Sequence, residues 1–364
     1  MGQRVRTGSN EKINMTKPHF LLSKHKVLEQ YQTVRQVADF ISYSSKTNPL
    51  ITPILEEHTD SLFSIHLPNK LKNVKDKSRV LFLAQAWREQ EIKTLIELGI
   101  VYFVVDNEVD LDTLLSFLEK NELNNKINFL LRLKLKENTL RTERYFVFGM
   151  KSEIINKRLT EVVTNQKIKQ KINHLGIHFH RKSQNMSEWN YQYEIMHSLT
   201  EETLKAISIL NIGGGLPAEY ANTNKNVLPT IFQKIKELKE WLNKQNIKLM
   251  LEPGRFICAP AVKLVTTIIG IHENNIIVNA SVYNSDMDAL IVPVKLLVEG
   301  EVEKGDGEPY VIKGITPCSM DLFRYRVYLK NPKVGDELVF LNAGAYNFST
   351  EFCDLEKMET KVGE

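Results

Sequence analysis

The sequence predicts an α/β protein in which a (β/α)8 barrel is followed by a C-terminal β-rich domain. Over roughly 220 residues, eight short apolar runs alternate with amphipathic segments, which is the size and rhythm of such a barrel. Past about Val262 this rhythm ends, and short strand-like runs separated by turn signals dominate. The length of 364 residues fits one barrel with an appended domain. We therefore expect an N-terminal segment at residues 1–35, the barrel at 36–261 and the β-rich domain at 262–364.

The barrel strands are predicted from apolar runs of strand length, and the helices between them from apolar residues at helical spacing. The expected strands cover residues 40–44, 62–65, 80–83, 101–105, 129–133, 175–179, 207–212 and 249–251. The clearest helical segments cover residues 88–98, 111–118, 153–166, 188–204 and 228–244. A doubly wound open sheet is the structural alternative, because it is built from the same alternation of strands and helices.

The two ends of the chain follow other patterns. A short strand at residues 20–22 precedes a helix at 24–37, and because this strand comes before the barrel we expect it to join the β-rich domain. The β-rich domain itself shows no helical periodicity. Its expected strands cover residues 262–271, 276–282, 289–298, 310–312, 326–329 and 337–341.

Composition argues against several classes of protein. Lys and Arg total 48, Asp and Glu total 44, and the two signs are interleaved, so a dedicated nucleic-acid-binding protein is not expected. The three cysteines are far apart and indicate neither a disulfide framework nor a zinc site, which fits a reducing cytoplasm. No apolar stretch is long enough to span a bilayer, and the polar N-terminus lacks a signal-peptide core. We expect no membrane partner and no metal.

A lysine follows the first predicted barrel strand, in Tyr43-Ser44-Ser45-Lys46-Thr47-Asn48. Chemistry in barrels occurs at the C-terminal ends of the strands, so the amine of Lys46 is expected to point into the cleft there. Apolar surroundings would lower its pKa and make the amine a nucleophile or a Schiff-base partner. Taken alone, this stretch favours a surface lysine whose stem lies over the strand end, and the other motifs change that interpretation.

A phosphate site is predicted on the opposite side of the barrel mouth. Gly213, Gly214 and Gly215 follow strand seven, where glycines expose backbone N–H groups. Arg255 follows strand eight and adds a planar set of donors. Barrels commonly bind phosphate after their last two strands, so these residues form a phosphate cradle that faces Lys46.

Other polar residues fall at the ends of neighbouring strands. Arg132 lies on strand five, His178 and His180 end strand six, and Glu252 begins Glu252-Pro253-Gly254-Arg255 after strand eight. A phosphate cradle that faces a lysine, with an aromatic His180 and an acidic Glu252 between them, suggests pyridoxal phosphate (PLP).

With these motifs in order, the sequence resembles the PLP-dependent decarboxylases of fold type III. This is the group of ornithine, diaminopimelate and carboxynorspermidine decarboxylases, to which alanine racemase is a more distant relative. The resemblance runs from about Phe20 to the C-terminus. It implies an amino acid decarboxylase that carries PLP as a Schiff base on Lys46.

The resemblance also implies which barrel residues hold the cofactor. Lys46 would bind it covalently, His180 would stack on its ring, and Glu252 would bind the pyridine nitrogen. Arg132 would lie near the phenolic oxygen. The residues implied at or beside the phosphate are Ser183, Gly213, Gly214, Gly215, Gly254 and Arg255.

Two further motifs lie in the β-rich domain. Pro317-Cys318-Ser319-Met320-Asp321 resembles the family segment with the catalytic cysteine, and Gly344-Ala345-Tyr346 resembles the motif whose tyrosine touches the phosphate. The resemblance implies that this segment enters the partner subunit's site, and hence an obligate homodimer. The implied catalytic residues are Lys46, Cys318 and His180. The implied substrate-binding residues are Ser319, Asp321 and Tyr346.

Departures from the family pattern leave the substrate open. Ser319 stands beside the cysteine where basic amino acid decarboxylases place an acid, and Ala280 lies where a second acid is usual. No arginine precedes Pro293, so diaminopimelate is less expected. The expectation is therefore a basic amino acid or a polyamine precursor.

Two alternative functions remain. The first is racemisation or another PLP reaction on the same fold, which Glu252 disfavours because a carboxylate at the pyridine nitrogen makes the ring a strong electron sink. The second is a catalytically silent regulatory homologue, which the presence of both Lys46 and Cys318 disfavours. Residues 136–144, which are charged and irregular, are a candidate lid.

Overall fold

The chain folds into two compact units. The computed structural model describes residues 16–134, 147–180, 190–223 and 225–364. The barrel unit contains Ser23–Glu219 and Thr223–Ala261. The β unit contains residues 16–22, Tyr220–Asn222 and Val262–Gly363. Val262 is also the residue at which the sequence pattern changes.

The N-terminal elements belong to different units. Strand β1 (His19–Ser23) pairs with a strand of the β unit, as the sequence predicted. Helix α1 (Lys24–Arg35) starts where the Ser23 hydroxyl accepts a hydrogen bond from the Lys26 amide. The sequence grouped this helix with β1 in the N-terminal segment 1–35, which was expected to join the β-rich domain only in part. The helix belongs to the barrel unit, where it buries Val27, Tyr31 and Val34.

Eight parallel strands close into a barrel in sequence order, and the last strand pairs with the first. Closure rules out the open-sheet alternative and confirms the predicted (β/α)8 barrel. The barrel strands are β2 (Phe40–Ser44), β3 (Leu62–Ile65), β4 (Val80–Ala84), β5 (Tyr102–Val105), β6 (Ile127–Arg132), β7 (Ile172–His178), β8 (Ile209–Asn211) and β9 (Lys248–Leu251).

Helices follow most of these strands and cover the barrel. The segment expected as one helix at 188–204 contains two helices, α7 (Tyr191–Ser198) and α8 (Glu201–Ala206), because Thr200 starts the second by accepting from the Thr203 amide. The barrel-unit helices after α1 are α2 (Thr52–His58), α3 (Glu89–Glu97), α4 (Glu108–Lys120), α5 (Ser152–Thr164), α6 (Gln166–Lys169), α7 (Tyr191–Ser198), α8 (Glu201–Ala206), α9 (Leu228–Lys244) and α10 (Arg255–Cys258). No described helix is long and apolar enough to cross a membrane.

The barrel interior is filled by apolar side chains from several strands. A buried cluster joins five strands through Leu81, Val104, Leu130, Ile209 and Met250. Layers of this kind make a packed core rather than a pore, so polar side chains are left to the C-terminal ends of the strands.

The β unit is a mostly antiparallel sheet. The strands are β10 (Val262–His272), β11 (Asn275–Val278), β12 (Leu297–Val298), β13 (Glu308–Lys313), β14 (Leu322–Leu329), β15 (Glu337–Leu341) and β16 (Glu359–Gly363). They run in the order β12-β15-β10-β11-β13-β14, and β1 pairs with β10 and β16. β16 was not expected from the sequence.

One expected strand of the β unit was wrong. Residues 289–298 were predicted as a strand, but the chain forms helix α12 (Met287–Ile291), a loop and the short β12. Helix α11 (Val282–Ser285) precedes α12 and begins at a capping box on Ser281. A short apolar run has no resolvable period, so the sequence did not distinguish a helical turn from a strand at residues 289–291.

Candidate active site

Lys46 lies in the turn that follows β2, at the C-terminal end of the barrel. Two contacts fix this turn. The Tyr43 hydroxyl donates to the Asn48 carbonyl at 2.9 Å, and the hydroxyl oxygens of Ser45 and Thr52 lie 2.8 Å apart. The rigid turn presents the lysine side chain at the end of the barrel where active sites occur.

The pKa of the Lys46 amine is lowered. The side chain is exposed at the open barrel mouth, yet enough protein surrounds it that loss of solvation is the main cause. The charge of Glu252 opposes this shift, and the charge of Arg132 adds to it. A lowered pKa raises the neutral fraction of the amine, and only the neutral form is a nucleophile.

Glu252 follows β9 and is 7% exposed. Its Oε1 accepts from Asn211 Nδ2 at 2.7 Å and lies 3.2 Å from His178 Nε2, while its Oε2 accepts from the Ser64 hydroxyl at 2.9 Å. Burial alone would raise the pKa of this carboxyl. The interactions with His178, His66 and Ser64 outweigh burial and hold the pKa well below its usual range. Glu252 is therefore an ionised carboxylate at neutral pH.

The strand register explains why these side chains meet. His178 on β7 is paired with Asn211 on β8, and Asn211 is paired with Met250 on β9, two residues before Glu252. On the other side, Ser64 reaches Glu252 from β3, and its hydroxyl oxygen lies 2.8 Å from that of Ser42 on β2. The carboxylate is thus held by strands that are far apart in sequence.

The glycine turn after β8 is packed against the same groups. Gly213 donates its amide to Asn211 Oδ1 at 2.8 Å, and Gly214 donates its amide to His180 Nδ1 at 3.0 Å. A Cβ at Gly214 would lie 2.7 Å from the Glu252 carbonyl oxygen, and Gly213 has a φ of +68°. Only glycine fits this turn. Because both amides are used inside it, the expected phosphate contacts of Gly213, Gly214 and Gly215 stay a prediction.

His180 is oriented by this turn. Because its Nδ1 accepts the Gly214 amide, the neutral ring carries its hydrogen on Nε2. The ring is exposed at the barrel mouth, but surrounding protein still lowers its pKa to about 4, chiefly through loss of solvation. His180 is therefore uncharged at neutral pH and suited to pack against an aromatic ligand.

Arg132 ends β6 and is paired with Asp106, which follows β5. Arg132 Nη1 donates to Asp106 Oδ1 at 3.1 Å, and the guanidinium lies 4.7 Å from the centre of the Phe148 ring. The ion pair and the ring contact hold the arginine in one orientation at the barrel mouth. This is the end of the barrel at which the sequence placed it.

Several residues of this network were missed by the sequence reasoning. Each is polar and lies at or just past the C-terminal end of a barrel strand, so the criterion that found Lys46 would have found them too. They are Ser64, His66, Asp106 and Asn211. The Nδ1 atoms of His66 and His178 are buried and have no hydrogen-bond partner among the described residues, and desolvation lowers the pKa of His66 to about 4.

The remaining barrel residues of the predicted site can be placed in part. Gly254 precedes α10, and a Cβ there would collide with the Thr47 side chain, so the turns after β2 and β9 touch closely. Arg255 is the first residue of α10 and is half-buried. Ser183 and the candidate lid at 136–144 lie outside the described residues.

In the β unit, Cys318 is paired with a tyrosine. Its sulfur lies 3.0 Å from the Tyr283 hydroxyl oxygen. The hydrogen bond from Tyr283 is the main cause that lowers the pKa of the thiol, with backbone amides contributing. The same hydrogen bond raises the pKa of Tyr283 to about 12. Tyr283 was not singled out from the sequence.

The other predicted residues of the β unit have different environments. Asp321 is 2% exposed, and its carboxylate accepts from the amides of Val282 and Thr316 and from the Thr316 hydroxyl. These local donors engage both carboxylate oxygens, which does not favour the expected substrate-binding role. Ser319 is exposed, and Tyr346 is half-buried with a φ of +55°.

The residues of the barrel mouth fit PLP. Lys46 offers an amine whose pKa is lowered, and Glu252 offers an ionised carboxylate for a protonated ring nitrogen. The turn at Gly213 and Gly214 has no room for side chains, so it borders the barrel mouth with backbone alone. His180 supplies a neutral ring held at a fixed tilt.

A closed parallel barrel with such a lysine after its first strand and such a carboxylate after its last defines a cofactor-binding barrel enzyme. The family model described as "Pyridoxal-dependent decarboxylase, pyridoxal binding domain" matches residues 67–259, more than half of the chain. The chain belongs to this family of PLP-dependent decarboxylases, and the resemblance drawn from the motifs is confirmed.

Individual relatives cover nearly the whole chain. A diaminopimelate decarboxylase of Aquifex aeolicus is 25% identical over 362 residues, which is 91% of this chain and 82% of the relative. A lysine/ornithine decarboxylase of Vibrio vulnificus, solved with cadaverine, has a TM-score of 0.76 at 21% identity and covers 95% and 94% of the two chains. An arginine decarboxylase of Paramecium bursaria Chlorella virus, bound to agmatine, has a TM-score of 0.74 at 20% identity and 96% coverage of both.

Proposed function

We propose that this enzyme decarboxylates a basic amino acid or a polyamine precursor at the C-terminal end of its barrel. The observation that carries the proposal is the buried, ionised Glu252 beside an amine of lowered pKa on Lys46. The relatives support the substrate class, because they are named for diaminopimelate, lysine, ornithine and arginine.

PLP supplies an aldehyde that forms a Schiff base with an amine, and a ring that withdraws electrons from the carbon that loses its carboxylate. The protein residues set up this chemistry. Lys46 would hold the cofactor through its neutral amine. Glu252 would stabilise a proton on the ring nitrogen, and His180 would pack against the ring. Cys318 donates the proton that replaces the lost carbon dioxide.

Decarboxylation is favoured over racemisation by the charge of the residue at the ring nitrogen. Glu252 stays ionised because Asn211, Ser64 and His178 all point hydrogen-bonding groups at its oxygens. A carboxylate there stabilises a protonated nitrogen, and a protonated nitrogen makes the ring a stronger acceptor of the electrons left by carbon dioxide.

The positions at which the family usually binds the distal end of its substrate offer no free carboxylate in this chain. Asp321 is occupied by local donors, Ser319 carries no charge, and Ala280 is fully buried. This pattern favours a substrate with a longer or modified side chain over ornithine.

The test is release of carbon dioxide and amine by the PLP-loaded enzyme. The panel comprises L-ornithine, L-lysine, L-arginine, diaminopimelate and carboxynorspermidine. We expect turnover of one of them, abolished by Lys46→Ala and retained by Lys70→Ala, an exposed lysine outside the site. Absence of carbon dioxide from every member, with PLP bound, would contradict the proposal.

We further propose that the enzyme is a homodimer in which the partner subunit's Cys318 completes each active site. The segment around Cys318 is rich in exposed apolar side chains, among them Ile315 and Met320, at 48% and 60% exposure. Exposed apolar groups next to a reactive thiol suit an interface with a second subunit. The predicted cytoplasmic location stays a prediction.

A further inference from the structure

Hydrogen bonds to its own amide and carbonyl fix Tyr283 in place. Its amide donates to the Ser281 hydroxyl at 3.2 Å, and its carbonyl accepts from the amide and the hydroxyl of Thr350, both at 3.0 Å. Its ring is stacked on Phe352, with the ring centres 4.1 Å apart. The hydroxyl therefore has little freedom to move.

The segment that carries Cys318 is tied to the same point. Asp321 Oδ1 accepts the amide of Val282, the residue before Tyr283, at 2.9 Å. Asp321 Oδ2 accepts the Thr316 amide at 3.0 Å and the Thr316 hydroxyl at 2.7 Å. One buried carboxylate thus joins the start of α11 to the turn around Cys318. The two ends of the 3.0 Å contact between Tyr283 and Cys318 are both held.

The direction of the hydrogen bond follows from the chemistry of the two groups. A tyrosine hydroxyl carries a directional O–H donor, whereas a thiolate is only an acceptor. The pKa of Tyr283 is raised to about 12 and the pKa of Cys318 is lowered, so the shared proton stays on oxygen when the pair loses one proton. The arrangement stabilises sulfur as the anion.

We propose that Tyr283 is a positioning residue for Cys318, whose hydroxyl donates to the sulfur and stabilises the thiolate that remains after proton transfer. In that step the S–H bond breaks, a C–H bond forms at the carbon that lost carbon dioxide, and sulfur keeps the electron pair. The proposal rests on the proposed function, since it assigns Cys318 the proton-donor role. A donor whose conjugate base is stabilised gives up its proton more readily.

The first test is the pH dependence of Cys318 alkylation in the PLP-loaded enzyme without substrate. Every protein in this test carries Cys353→Ser, because Cys353 is exposed and would also react. Cys258 is buried and is left in place. With iodoacetamide, Tyr283→Phe should move the midpoint of the pH–rate profile to higher pH and slow the reaction at pH 7 about threefold to tenfold. Tyr325→Phe, an exposed tyrosine of the same unit, is the matched control. An unchanged midpoint in Tyr283→Phe would overturn the proposal.

A second measurement separates positioning from decarboxylation itself. Tyr283→Phe should lower kcat about tenfold and leave KM unchanged, because the lost interaction stabilises only the proton-transfer step. If no substrate is turned over, the alkylation experiment still tests the interaction of Tyr283 with Cys318, because it needs no substrate. If Tyr283→Phe does not fold, the alkylation of Cys318 in the Cys353→Ser protein tests the proposal without it. Its midpoint should lie below about pH 8.5, the ordinary pKa of a cysteine thiol, and a midpoint at or above that value would overturn the proposal.

Discussion

At the level of single residues, Glu252 is held by side chains from three barrel strands. Three strands contribute donors to one carboxylate, through Asn211, His178 and Ser64. Such an arrangement holds the charge where a protonated ring nitrogen would lie and removes the need for reorganisation during the reaction. The strand register thus places the donors that keep Glu252 ionised, and the charge of Glu252 favours decarboxylation over racemisation.

The pH dependence of stability should report on Glu252. Its folded-state pKa lies below the unfolded value of about 4.3, so its stabilising contribution is present at neutral pH and lost as pH falls below that value. Glu252→Gln should therefore show a shallower loss of unfolding free energy between about pH 5 and pH 3 than the wild type. Urea unfolding at each pH measures this, with Glu240→Gln, an exposed glutamate on α9, as the control. Parallel curves for the wild type and Glu252→Gln would contradict the assignment.

At the residue scale, the sequence revealed the types of groups but not their partners. Lys46 and Glu252 were predicted from their positions after strands one and eight. The sequence could not predict that Asn211 hydrogen-bonds both Glu252 and Gly213, because these contacts depend on the register of β8 against β9. The pairing of Tyr283 with Cys318 likewise joins positions 35 residues apart.

Among the elements, the turn after β8 is packed closely against neighbouring backbone. Gly214→Ala would place a Cβ 2.7 Å from the Glu252 carbonyl oxygen, and backbone cannot move as easily as a side chain. We expect a loss of about 1–3 kcal/mol in unfolding free energy, and weaker PLP binding. Gly270→Ala, whose nearest neighbour would be at 3.8 Å, should change stability by less than about 0.5 kcal/mol. Wild-type PLP affinity in Gly214→Ala would argue against the turn as a cofactor site.

The join between α11 and the Cys318 segment should depend on Asp321. Asp321→Ala leaves the amides of Val282 and Thr316 without their acceptor, and each buried, unpaired group costs about 1–3 kcal/mol. Thermal unfolding should show the loss, whereas Asp306→Ala, in an exposed turn, should be silent. A variant as stable as the wild type would mean that Asp321 does not hold this segment.

Element prediction was most accurate for the barrel and least accurate in the β unit. Parallel strands buried on both sides read as continuous apolar runs, so β2 and β3 were predicted with their observed bounds. Residues 289–298 form no single strand, since Ala289-Leu290-Ile291 fits a helical turn as well as a strand. β16 contains Lys361 and other polar residues, and its pairing with β1 left no signal in the sequence.

On the scale of the whole molecule, the proposed shared site can be tested by mixing two inactive variants. Lys46→Ala and Cys318→Ala subunits that exchange at equal amounts should regain about a quarter of wild-type activity, because half of the dimers are mixed and each mixed dimer has one intact site. If both residues acted within one chain, every site would keep one defect. Activity that stays at the level of the separate variants would therefore exclude a shared site.

The most direct test of the account is the location of the covalent cofactor. The PLP-loaded enzyme is reduced with borohydride, digested and mapped by mass spectrometry. We expect a pyridoxyl group on Lys46 and none after Lys46→Ala, because the pKa of this amine is lowered at the end of the barrel that carries Glu252. A pyridoxyl group on another lysine, or none in the wild type, would contradict the assignment of the barrel mouth as the active site.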